Sequence, residues 1–153
     1  MQLTQFTDYA LRVLMHLAGR NGELSTIGAI AAAQAISENH LMKVVHRLAR
    51  LGYVATLRGK GGGLRLALAP EQISIGALVR DVEEMLAPAE CLDARSSCTC
   101  RLLPACRLRP MLRDAQQAFL QHLDGYHLCD LLQPHAPPAA RQRPPRRGAA
   151  RHG

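Results

Sequence analysis

Between Thr7 or Asp8 and about Arg20, apolar residues fall at Leu11, Leu14, Met15 and Ala18, one stripe at helical spacing that Asn21-Gly22 ends. The pattern predicts a first helix. A second, shorter helix runs from Thr26 to about Gln34, capped by Ser25 and rich in alanine, so that it can pack close to its neighbours. After a turn at Ala35-Ile36, Ser37 is the best N-cap in the chain, because Ile36 and Leu41 on either side of it are spaced to form a hydrophobic staple. Leu41, Val44, Val45, Leu48 and Leu51 then keep the helical period up to Gly52, placed as the C′ residue. Two short strand-like runs follow, Val54 to Leu57 and Leu64 to Leu68, joined by Arg58-Gly59-Lys60-Gly61-Gly62-Gly63. Ile73, Ala77 and Val79 to Val82 suggest a fourth helix before Pro88 breaks the pattern. A long fifth helix places Leu108, Leu112, Ala115, Phe119 and Leu123 every three or four residues and ends at Gly125, and Pro110 requires it to begin near Leu108 or to bend there.

Two short helices, the second polar outward, followed by a two-stranded hairpin with a cationic tip, make up a winged helix-turn-helix. The fold class is therefore mainly α with a small β-hairpin, plus a long helix that has no partner inside so small a chain. A symmetric dimer seam is the natural use of that helix. The chain divides into a winged helix-turn-helix over 1–85, a cysteine-bearing loop over 86–107, the dimerisation helix over 108–132 and a tail over 133–153. The third helix turns Asn39, His40, Lys43, His46, Arg47 and Arg50 away from its apolar stripe, with Glu38 at the N-terminal turn where the helix dipole tolerates it. This face is built to meet an anion. Asn39 and His40, at the N-terminal end, are placed for base edges, and Lys43, Arg47, Arg58 and Lys60 for phosphates of double-stranded DNA.

Charge placement agrees with this division. The formal net charge is +7, but residues 1–70 carry +5, residues 71–132 carry −3, and the tail adds five arginines and no acid. A basic half beside an acidic half suits a polyanion-binding domain joined to a module with another task. The Pro-, Ala- and Arg-rich tail cannot bury enough surface to offset chain entropy and reads as a disordered basic tether. Aromatic residues make up 3% of the chain and there is no Trp, so the core is aliphatic. The most apolar stretch, Ile27 to Ile36, is half of the ~20 residues a bilayer requires, and the N-terminus lacks a cationic segment before an apolar run; a cytoplasmic protein with no membrane contact is expected. Enzyme classes find little support, since there is no Cys-x-x-Cys pair, no nucleophile–base pattern, and no Lys-Ser or Lys-Thr opening a helix after the glycine run.

Cys91, Cys98, Cys100 and Cys106 lie within sixteen residues, and Cys129 stands apart beside Leu128 and Leu131, as a small core residue would. In a reducing compartment such a cluster indicates metal or redox chemistry before disulfides. Thiolates bind zinc and iron–sulfur clusters alike, and although zinc sites usually pair ligands as C-x2-C, a spacing missing here, residue type alone does not choose the metal.

The run Ser37-Glu38-Asn39-His40-Leu41-Met42-Lys43-Val44-Val45-His46-Arg47-Leu48, with Leu51-Gly52-Tyr53 and Arg58 through Ala67, closely resembles the NsrR family of nitric-oxide-sensitive repressors, relatives of IscR, over about residues 1–132. The resemblance implies a homodimeric winged helix with one iron–sulfur cluster per subunit, 2Fe–2S or 4Fe–4S. The family's C-x5-C running into Arg-Leu matches Cys100 and Cys106-Arg107-Leu108, so the implied thiolate ligands are Cys91, Cys100 and Cys106, while Cys98 also suits the variable first gap. A fourth ligand, implied by a branch of the family, is an Asp from the partner subunit at the position of Asp8, which is equally placed as an ordinary helix-start acid. The implied function is a repressor that holds a palindromic operator while its cluster is intact and releases it when nitric oxide reacts; the alternative is a zinc-stabilised winged-helix protein without a sensing role.

Overall fold

The computed structural model describes residues 2–132, in which five α-helices and one two-stranded sheet follow the order α1 (Gln5–Ala18), α2 (Ile27–Gln34), α3 (Glu38–Arg50), β1 (Val54–Leu57), β2 (Gly63–Leu66), α4 (Ile75–Val82) and α5 (Leu108–Asp124). The basic tail lies outside the described residues. Four of these helices start on a hydroxyl: the side chains of Thr4, Thr26, Ser37 and Ser74 accept from the backbone N–H of Thr7, Ala29, His40 and Ala77. Helix α1 therefore begins before the expected Thr7 or Asp8, because Thr4 supplies a cap upstream of the apolar stripe. The cap of α2 is Thr26 and not Ser25. Ser25 is drawn away by the sheet, where it exchanges backbone hydrogen bonds of 2.9 and 2.8 Å with Leu64.

The strands pair antiparallel with Val54 opposite Leu66 and Leu57 opposite Gly63. At the tip Gly59 and Gly61 take φ of +101° and +82°, a region that other residues enter at a cost. The wing is thus a hairpin whose second strand is tied to the segment between α1 and α2.

One aliphatic core gathers Leu14 and Leu17 of α1, Ile30 of α2, Leu41, Val44 and Leu48 of α3, and Leu78 of α4, all essentially unexposed. At ~1.5 to 3 kcal/mol per fully buried aliphatic side chain, this stripe-on-stripe packing supplies most of the stabilisation of the domain. Ile36 and Leu41, the staple pair, are both buried there, and Gly52 takes φ +82° after α3. Between α2 and α3 the turn uses Ala35 at φ +53°, where glycine is more common.

Helix α5 differs from the others. It has no side-chain N-cap and no buried residue, and Pro110 sits in its first turn, where a missing N–H is harmless. The helix stops at Asp124 with Gly125 as its C-cap, where the pattern predicts its end, so residues 125–132 of the segment assigned to dimerisation are not part of it. Residues beyond it return to the winged domain: Ile75 donates to the Tyr126 carbonyl and Leu128 to that of Ile73, each at 2.9 Å, and Leu128 is wholly buried. At this junction a Cβ on Gly76 would stand 2.0 Å from Asp124 Oδ1, so α5 approaches α4 as closely as only glycine permits. The Asp124 carboxylate takes both terminal guanidinium nitrogens of Arg80 at 2.5 and 2.6 Å, which holds its pKa below the usual carboxylate range. No helix among the described residues is long and apolar enough to cross a membrane.

Candidate nucleic-acid interface and cysteine segment

The α3 stripe of Leu41, Val44, Val45 and Leu48 is buried, and at about 3.6 residues per turn the line directly opposite it carries Asn39, Lys43, His46 and Arg50, all exposed. Asn39 and Lys43 are where the sequence pattern put them. His46 and Arg50, which the pattern placed on the polar face without assigning them a contact, share the same centre line. The remaining predicted residues of α3 stand on its flank. His40 faces Tyr9 of α1, with ring centroids 6.0 Å apart. Arg47 donates from its terminal nitrogen to the carbonyl of Asp81 at 2.9 Å. Arg58 and Lys60 are exposed at the tip of the wing. The surface thus presents three cations and two histidines around one asparagine, with two further cations on the hairpin beside it.

Arg47 leads to a junction that spacing did not reveal. The Tyr53 hydroxyl donates to the Asp81 carboxylate at 2.6 Å, and burial followed by this bond pushes the phenol well above its ordinary pKa. Glu83 is buried, and its carboxylate accepts from the backbone N–H of Thr4 at 3.1 Å, from the Thr4 hydroxyl at 3.2 Å and from the Thr7 hydroxyl. A lone buried carboxylate is costly unless hydrogen bonds surround it, and these three donors meet that need without a cation. Glu84 offers its carbonyl to Arg95 at 2.7 Å. A cavity of about 480 Å³, lined by Thr4, Phe6, Lys43, Arg47, Val82 and Glu84, opens between α1, α3 and this stretch. In four residues, 81–84, the chain is therefore bonded to α3, to the start of the wing, to the start of α1 and to the cysteine segment.

The cysteine segment is irregular, with single 3-10 turns at Glu90–Leu92 and Leu103–Ala105. Several of its bonds are local: Asp93 accepts from the Arg95 backbone N–H at 3.0 Å and from its guanidinium, which together lower the carboxyl's pKa, and Ser96 donates to Glu90 at 2.9 Å. Arg109 of α5 donates to the Cys91 carbonyl at 3.1 Å and so ties the segment to the first turn of that helix. All five cysteines carry free thiols; Cys91, Cys98, Cys106 and Cys129 are half-buried and Cys100 is exposed. Among the described residues no three His, Cys, Asp or Glu side chains converge on one point. The donor set nonetheless suits a thiophilic metal group, because four free thiols lie on a segment with few long-range bonds to prevent it from closing. Asp8 pairs with Arg12 one helical turn on, at 2.9 Å, with both side chains about half exposed.

Comparison with known proteins bears on both parts. Residues 3–134 match the model of the Rrf2 family, described as iron-dependent transcriptional regulator. The HTH-type transcriptional regulator NsrR of Geobacillus kaustophilus is 52% identical over 137 residues, covering 89% of this chain and 92% of that protein. The protein of the same description in Bacillus subtilis is 51% identical, covering 86% and 90%. Among solved structures, CymR, the global cysteine regulator of Bacillus subtilis, superposes with a TM-score of 0.69 at 27% identity, over 86% of this chain and 96% of that one.

Proposed function

Because the chain belongs to the Rrf2 family of transcriptional regulators, which are DNA-binding proteins and not enzymes, we propose that it is a cytoplasmic, homodimeric repressor whose grip on operator DNA depends on an iron–sulfur cluster and is lost on exposure to nitric oxide. The observation that carries this reading is the 81–84 junction, where α3 and the cysteine segment bond to the same four residues. A switch needs a mechanical link between its sensor and its output, and here the link is two hydrogen bonds long.

Cys91, Cys100 and Cys106 would hold the cluster, with Asp8 of the partner subunit as a weaker fourth ligand. A cluster so held supplies an iron accessible to a diatomic ligand. The remaining work belongs to the chain. With the three thiolates drawn together, the segment 86–107 is shortened, and Arg95 holds the Glu84 carbonyl in place. Arg47 and Tyr53 then meet Asp81 in a fixed position, which sets the tilt of α3. When the thiolates separate, the segment relaxes, Glu84 and Asp81 shift, and α3 loses its position in the groove. The apolar side of α5 supports pairing of two chains: Leu108 and Met111 are 59% and 64% exposed, and Leu112, Phe119 and Leu123 are only half covered. A dimer would place two copies of α3 on successive major grooves.

The test is anaerobic absorption and operator binding across Cys91→Ala, Cys98→Ala, Cys100→Ala, Cys106→Ala, Cys129→Ala and Asp8→Ala, each titrated with nitric oxide. The first, third and fourth should lose the visible chromophore and operator binding together. Cys98→Ala and Cys129→Ala should keep both, and Asp8→Ala should retain a less stable cluster. A colourless wild type that contains zinc and ignores nitric oxide would overturn the sensing role and favour a structural metal.

A further inference from the structure

On the wing side of α3 lies a second cavity of about 520 Å³, walled by Met42, Val45 and His46 of the helix, by Leu57 of β1 and by Ile27 at the start of α2. Met42 is 49% exposed and Leu57 44% exposed. They face outward beside the exposed polar and cationic Asn39, Lys43, His46 and Arg50 of α3, with Arg58 and Lys60 on the hairpin beyond. Two large apolar side chains flanking one cleft on a DNA-facing surface lose nothing when the surface is wetted by counterions alone, but they gain when something apolar covers them. In the major groove the one bulky apolar group that the base edges offer is the C5-methyl of thymine, beside hydrogen-bond donors, acceptors and small ring C–H groups.

We propose that Met42 is a specificity-determining residue that reads a thymine methyl, with Leu57 as the wall behind it. The proposal rests on the DNA-binding reading above and goes beyond it by naming the group that is read. Helical spacing puts Met42 one turn ahead of His46 and beside Asn39, so that its side chain leans along the groove wall on the wing side while the centre line points to the groove floor. An unbranched thioether can follow a methyl through small changes of docking, which a β-branched side chain cannot. The cations around the cleft bring DNA to it without distinguishing sequences, and the apolar pair then makes one position of each half-site favour a T·A pair.

The experiment uses the full chain as isolated anaerobically and duplexes that it selects from a random-sequence pool. Each thymine of a selected duplex is replaced in turn by deoxyuridine, which removes the 5-methyl and nothing else, and affinity is read by fluorescence anisotropy at fixed salt. One replacement per half-site should weaken wild-type binding about fourfold, the effect of uncovering one methyl-sized group. Met42→Ala should bind the thymine duplex more weakly and be indifferent to that replacement, whereas Met42→Leu should keep the sensitivity. Melting by circular dichroism should be unchanged in both variants, since the side chain is half exposed. Binding that is insensitive to every replacement, or a Met42→Ala protein as sensitive as the wild type, would overturn the assignment alone. Failure to bind any duplex would overturn the DNA-binding reading and this assignment with it.

Discussion

Replacing Glu83 by Ala should be among the most damaging single changes at the 81–84 junction. The carboxylate is 7% exposed and accepts from three donors, of which the Thr7 hydroxyl belongs to a residue with no exposed surface. Alanine would strand that hydroxyl, at a cost of ~1 to 3 kcal/mol for a buried unsatisfied group. The two Thr4 donors are only part-buried and can turn to water, so about 0.5 kcal/mol each is appropriate for them. The sum is about 3 kcal/mol. With a urea dependence of about 1.5 kcal/mol per M, the unfolding midpoint should fall by about 2 M, measured by circular dichroism at one protein concentration. Glu83→Gln, which keeps an acceptor but turns an amide N–H₂ toward the same donors, should lose roughly half as much. Thr7→Val should cost ~1 kcal/mol alone and much less in the Glu83→Ala background, because both remove the same bond. A Glu83→Ala midpoint within about 0.3 M of the wild type would refute the reasoning, since a carboxylate so enclosed could then be removed without stranding its donors.

Three further outcomes follow from other parts of the molecule. Gly76→Ala should destabilise the protein by ~1 to 3 kcal/mol in thermal unfolding and loosen α5 from α4, because the new methyl would meet Asp124 side-chain and backbone atoms at 2.0 and 2.8 Å. In salt titrations of DNA binding, Arg47→Ala, Arg50→Ala and Arg58→Ala should each lower the slope by about one unit, since the bond of Arg47 to the neutral Asp81 carbonyl leaves its charge available to phosphate. His16 bonds Ser25 Oγ at 3.1 Å, and burial, then the charge of Arg20, lower its pKa below 6.5. The unfolded chain therefore binds this proton more readily than the folded one, so the contribution is present above the unfolded pKa and is lost as pH falls from there through the folded value. His16→Gln should show a shallower loss of stability between about pH 7 and 5 in urea titrations, compared with the wild type.

Local patterns carried the helices, the hairpin and the cationic face, because each rests on contacts between near neighbours in the chain. The α3 stripe of Leu41, Val44, Val45 and Leu48 repeats at 3.6 residues, and Ser37 caps the helix it precedes, so both are legible without any knowledge of the rest. The same holds for Pro110, whose missing N–H admits it only to a first turn. Where sequence reasoning went astray, a distant partner outbid a local preference. Ser25 looks like a cap and is instead bonded to Leu64, 39 residues on, and the cap passes to Thr26. The bonds of Arg47, Tyr53 and Glu83 show no pattern at all, since a residue 34, 28 or 79 positions from its partner leaves no periodic trace. The apolar side of α5 was visible as a stripe, but that it carries no buried residue in one chain, while Leu128 just beyond it is wholly buried, was decided by tertiary packing. Periodicity records which side of an element is apolar; which neighbour covers that side, and which polar groups meet across the chain, depends on long-range closure that only the folded structure expresses.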